Sequence, residues 1–95
     1  MFDTLHIGDI RFAPAKPELR ARGLIGWMCC SLNGEIQLDG IAVRRTADGR
    51  YFLSFPARTD SNGVSHDYIK PLSKDVRDAI ESQVIGDLRR RGYLP

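Results

Sequence analysis

The sequence has few of the residues from which active sites and metal centres are built. Its 95 residues include two His and two Cys, and the cysteines are neighbours, Cys29 and Cys30. Successive residues of a strand point to opposite faces, so the two thiols cannot line one site. A zinc centre needs CxxC-type spacing and further ligands, which are missing. The expectation is two small hydrophobes in a reducing compartment, with no disulfide, no metal and no cofactor. His66 and Asp67 diverge for the same reason and make no catalytic pair. No GxSxG, P-loop or metal-ligand spacing is present, and the twelve acids are scattered. These absences point away from an enzyme and from a small-molecule substrate. No apolar run approaches ~18 residues, which excludes a helical membrane span. "MFDTLHIGDI" lacks a basic segment followed by a long apolar one, so the expected location is cytoplasmic. Internal repeats and low-complexity segments are absent.

The composition that remains is that of one globular domain, residues 1–95. A domain of this size buries ~60–68% of the surface its unfolded chain exposes, enough for one modest core. Hydrophobic residues make up 42% and charged residues 27%, which excludes a disordered chain. The net charge is only +2, yet eleven of the fourteen basic residues are Arg. Arginine's planar fork suits phosphate and its guanidinium stacks on bases; a GC-rich genome produces the same bias without function.

Hydrophobic patterning predicts five strands and one helix. "LHIGDIRF" reads as a first strand with a bulge at Gly8-Asp9, and "APAKPE" as a proline-bearing connector. "LRARGLIGWMCCSL" and "EIQLDGIAV" flank Asn33-Gly34, a preferred pair for a two-residue type I′ hairpin. With that loop Cys29 faces Leu38, and Ile25, Trp27, Cys29, Ile36 and Leu38 share a core face. Met28, Cys30, Gln37 and Asp39 then share the other face. "YFLSFPA" and "VSHDYI" read as the fourth and fifth strands, separated by the loop "RTDSNG". Ser73 is placed as the N-cap of a helix with Asp75 in its first turn. Its apolar stripe is Val76, Ile80, Val84 and Leu88, Arg89 to Arg91 lie in the last turn, and Gly92 stops it. Ile85 lies off the stripe, either exposed or covered by something else. The fold class is therefore α+β, an antiparallel five-stranded meander followed by one C-terminal helix. One helix cannot cover both faces of such a sheet, so the other face is polar or meets a partner.

Basic residues gather near turns and element ends: Arg20 and Arg22; Arg44, Arg45 and Arg50; Arg58; and Lys74, Arg77 and Arg89 to Arg91. Long cations in such places reach outward to phosphates. Trp27, Tyr51, Phe52, Phe55 and Tyr68 are stacking platforms if they face the open side, although strand aromatics more often line a core. A terminal Arg triplet also serves the helix dipole.

The chain resembles the bacterial septation protein family, the SpoVG-like proteins. The resemblance rests on "GIAV" at 40–43, "DGRYFLSFPAR" at 48–58, "DYIKPL" at 67–72 and "RDAI" at 77–80. Their order and spacing follow the family pattern over about residues 36–88, with one extra residue in the 44–50 turn. Gly40, Ala42 and Lys70 stand where the family carries Asp, Arg and His. The resemblance implies a homodimer whose protomers join their β-structure, and sequence-tolerant binding of DNA and RNA in gene regulation. The family's basic residues after its strand-ending Pro correspond to Arg58, and its helix Arg to Arg77. The expected nucleic-acid-binding residues are Arg44, Arg45, Arg50, Arg58, Lys70 and Arg77. The competing expectation is a non-catalytic protein-interaction module using the open sheet face. Basic residues on one continuous face favour nucleic acid; alternation with Asp48, Asp60 and Asp67 favours the module.

Overall fold

The computed structural model describes residues 5–95, so the reading of the N-terminal segment falls partly outside it, at residues 1–4. The chain runs β1 (Ile7–Pro14), α1 (Pro17–Ala21), β2 (Leu24–Leu32), β3 (Ile36–Arg45), β4 (Tyr51–Ser54), β5 (Ala57–Thr59), β6 (Ser65–Asp67) and α2 (Lys74–Arg90). β1 to β4 form an antiparallel meander in sequence order, and β5 and β6 pair in a separate two-stranded hairpin. The class is α+β as expected, but the sheet has four strands, and the fifth-strand segment belongs to the hairpin.

Two causes separate the hairpin from the sheet. Pro56 has no N–H to donate, so the fourth strand stops at Ser54. The outer edge of β4 is also occupied. The Leu53 N–H donates to Glu81 Oε2 at 2.9 Å, and the Leu53 carbonyl accepts from Arg77 at 3.1 Å. A helix thus satisfies the edge that a fifth strand would have used. α2 treats the opposite edge alike: Gln83 accepts from the Ile7 N–H and donates to the Leu5 carbonyl, and Arg91 donates to the Ile10 carbonyl. The proline-bearing connector contains the short helix α1, with Pro17 in its first turn, where a missing N–H costs nothing.

The β2–β3 turn has the expected chemistry and a different register. Asn33 and Gly34 both have positive φ, and the Glu35 N–H donates to the Leu32 carbonyl, as a type I′ turn requires. Glu35 then stays out of the ladder, so Leu32 pairs with Ile36 and Cys30 with Leu38. A one-residue slip turns side chains over. Met28 and Cys30 therefore enter the core with Leu38, Trp27 and Ile36 are 42% and 58% exposed, and Cys29 is half-buried. Burial raises the Cys30 thiol pKa, with the neighbouring Cys29 adding to the shift. Three further irregularities keep apolar residues inward: at Asp9-Ile10 of β1, as the Gly8-Asp9 pair predicts; at Ile25 of β2; and at Asp39-Gly40 of β3, where Gly40 has φ +71°.

The core lies between one sheet face and α2. Ile41, Val43 and Leu53 of the sheet meet Ile80, Val84 and Leu88 of the helix. Ile85, expected off the stripe, is 8% exposed and joins this core. The Ser73 hydroxyl accepts from the Val76 N–H at 3.2 Å, the predicted cap. Gly92, at φ +82°, lets the Tyr93 N–H reach back to the Leu88 carbonyl at 2.9 Å. The chain then returns to bury Leu94 and place Tyr93 against Phe12.

Candidate nucleic-acid interface

Strand direction collects arginine at one end of the sheet. β2 begins and β3 ends there, tied by the Arg45 N–H to the Gly23 carbonyl at 2.8 Å. α1 brings Arg20 and its C-cap Arg22 to the same end. β4 starts there at Tyr51, which pairs with Arg45, and α2 finishes there, with Arg89 5.8 Å over the Tyr51 ring. Three adjoining shallow clefts result. A cleft of about 390 Å³ takes Arg20 and Arg45 beside Tyr51 and Tyr93. The second takes Arg22 and Arg45 beside the β3–β4 turn. The third takes Arg50 and Arg89 on the other side of Tyr51. The turn end of the β2–β3 hairpin carries Glu35 and Asp39, with Asp9 nearby on β1; the arginine-rich end also holds acids, Asp48 in the second cleft and Asp78 and Glu81 in the third.

The expected residues divide among three places. Arg44, Arg45 and Arg50 lie at the arginine-rich end. Arg44 sits on the face away from α2, opposite Phe52, while Arg45 next to it projects to the helix side. Arg58 lies beyond the other end of β4, exposed on β5 and directly opposite His66. Lys70 follows that hairpin. Arg77 is on α2, held by the Leu53 carbonyl, by Glu81 at 3.3 Å and by the Phe55 ring at 5.5 Å. The six therefore do not form one continuous face.

Acids interleave with several of them. Asp48 lies 3.3 Å from Arg50, and Asp67 lies 3.7 Å from Lys70. The Thr46 hydroxyl, above all, and then Arg50 hold the Asp48 carboxyl below its usual range. Asp60 lies 2.7 Å from His66, across the hairpin from Arg58. Among the described residues, no ion pair engages Arg20, Arg22, Arg44, Arg45, Arg58 or Arg89. Arg20, Arg22 and Arg89 were legible as local clusters; their convergence with Arg45 depends on a topology that spacing does not reveal. Arg11, opposite Cys29 on the face away from α2, carried no signal, and its place follows only from the register of β1 on β2.

Among the described residues, no three His, Cys, Asp or Glu side chains gather as metal ligands would, and no helix is long and apolar enough to cross a membrane. Gly40, where the resembling family has Asp, takes a left-handed conformation at a bulge. Ala42, where it has Arg, pairs with Trp27 and Ser54. In comparisons with known proteins, the chain matches no protein-family model and no curated protein.

Proposed function

We propose that the protein is a sequence-tolerant nucleic-acid-binding regulator, a divergent member of the bacterial septation protein family, acting as a cytoplasmic homodimer on DNA or RNA. The observation that carries this reading is the convergence of Arg20, Arg45 and Arg89 around Tyr51, with Arg22 beside Arg45 in the adjoining cleft; none has an ion-pair partner among the described residues, although Arg89 donates to the Pro95 carbonyl at 3.1 Å. Such cations neutralise backbone phosphates and displace counterions, which gives affinity without sequence preference. Arg58 is a second contact in this reading, because it is exposed beyond a strand-ending Pro56 and has no ladder or ion-pair duty for its side chain.

Anisotropy titration of labelled single-stranded RNA and duplex DNA at two salt concentrations tests it. Arg45→Ala should weaken binding to all sequences alike and flatten the slope of log K against log salt by about 0.9 on duplex for each protomer that contributes. Arg58→Ala should flatten it by up to ~1.8 if both protomers contribute. Absence of binding at low salt would reject the reading.

The homodimer draws support from the hairpin. Val64, Tyr68 and Leu72 are all exposed, Leu72 at 90%, on a segment that packs little against the sheet. A stable pair should bury on the order of 1,600 Å², and light scattering that finds a monomer at high micromolar concentration refutes it. The acid–base alternation at Arg50, Lys70 and Arg58–His66 favours the second reading, a protein-interaction module, which takes over if nucleic acid does not bind.

A further inference from the structure

The sheet face away from α2 has its own chemistry. Side chains next to core residues in each strand project there. Trp27 stands on an inner strand, between Ala13 of β1 and Ala42 of β3, with Ser54 next in the same row. One row towards the arginine-rich end lie Arg44 and Phe52; one row the other way lies Arg11, opposite Cys29. Diagonal neighbours on adjacent strands are about 7–8 Å apart, so Arg11 and Arg44 flank Trp27 on opposite sides. Both arginines are exposed, and no ion pair engages either among the described residues. The rows of Trp27 and Arg44 contain no acid; the row of Arg11 and Cys29 meets β3 at the Asp39-Gly40 bulge, and Asp9 lines the same cleft as Arg11 without an ion pair to it. The protein's one tryptophan therefore keeps 42% of its surface in solvent, on a flat bed of small side chains with a cation on either side.

We propose that this face binds single-stranded nucleic acid, with an unpaired base stacked on Trp27 and the flanking phosphates held by Arg11 and Arg44. This rests on the nucleic-acid reading above and adds the form of the ligand. A ring on a flat sheet meets the face of a base only when that base is unpaired and splayed out, because in a duplex the base faces are covered by their neighbours. A strand crossing the ring meets a cation on entry and another on exit. Charge complementarity favours a polyanion here: no acid lies in the rows of Trp27 and Arg44, and the acids that border Arg11, Asp9 and Asp39, leave it without an ion pair among the described residues.

Trp27 is its own reporter. The wild-type protein is titrated at low salt with a twelve-residue oligothymidylate and with the duplex of the same length, following both Trp27 emission and oligonucleotide anisotropy. The expected result is strong quenching by the single strand and little by the duplex. Trp27→Ala should weaken single-strand binding about tenfold or more and leave duplex binding within about twofold of wild type. Trp27→Phe, which keeps a ring, should retain most of the affinity, and thermal melting should show both variants folded. Arg11→Ala and Arg44→Ala should each flatten the single-strand salt slope by about 0.7. Equal binding of both forms with unmoved Trp27 emission overturns the proposal and leaves the nucleic-acid reading standing. Emission that shifts on dilution without oligonucleotide places a second copy on this face and also overturns it. Binding of neither form removes both.

Discussion

Arg77 is among the nucleic-acid contacts that the resemblance implies, yet its geometry makes it a clamp on the edge of the sheet. Its guanidinium donates to the Leu53 carbonyl at 3.1 Å and lies 3.3 Å from Glu81, whose carboxylate accepts from the Leu53 N–H at 2.9 Å. Together they satisfy both backbone groups of a residue that is 1% exposed on an edge strand. A hydrogen bond to a charged group contributes about 1.5–3 kcal/mol. The Arg77 side chain is 42% exposed, so solvent screening brings the expected cost of Arg77→Ala to about 1–2 kcal/mol. In a domain of this size that lowers Tm by about 4–16 °C. Glu81, at 18% side-chain exposure, leaves a more deeply buried N–H unpaired, and Glu81→Ala should cost about 1–3 kcal/mol. The two share an ion pair and a target residue, so the double variant should fall short of the sum by about 0.5 kcal/mol or more. Urea and thermal denaturation measure stability; anisotropy well below the midpoint measures affinity. A clamp predicts lost stability with duplex affinity and salt slope unchanged. Unchanged stability with a slope flattened by about 0.9 would refute the clamp and return Arg77 to the interface.

Two further outcomes follow from local geometry. A Cβ on Gly26 would lie 2.5 Å from the Ala13 carbonyl oxygen and 2.6 Å from the Phe12 ring. Gly26→Ala should therefore push β1 from β2 and cost about 1–3 kcal/mol or more, seen as a lowered denaturation midpoint; an unchanged midpoint contradicts the close packing of Phe12. The Asp60 carboxyl is held below its usual range by His66 first, then by the Val64 and Asn62 N–H groups. A depressed folded pKa contributes stability above the unfolded value of about 3.9 and loses it as pH falls through the folded one. Amide resonances of Asn62 and Val64 should shift in that acid range, and the Asp60→Asn variant should lack the transition; shifts that persist in Asp60→Asn would assign them elsewhere.

Legibility in the sequence tracked the range of the interactions. The Ser73 cap, the Gly92 stop and the type I′ geometry of Asn33-Gly34 are set within a few residues, and each was readable from them. The core stripe of α2 was readable because period 3.6 is local, though Ile85 also entered, buried by the sheet below. The facing of β2 is not readable locally, because it hangs on whether one residue, Glu35, joins the ladder, and alternation propagates that choice to Trp27 and Cys30. The fifth-strand segment is absent from the sheet because side chains distant in sequence, Arg77 and Glu81, fill the β4 edge.

The candidate site obeys the same logic in reverse. Arg44 and Arg45 look like one cluster in sequence, but adjacent strand residues must part, so Arg44 joins Trp27 and Arg45 joins Arg20 and Arg22. One basic doublet thereby serves two surfaces of the same sheet end. A strand lying along the open face and leaving past Arg44 would turn over that end towards Arg45. In that arrangement the clefts around Arg45 and the face around Trp27 form one continuous path, and a longer single strand should contact both.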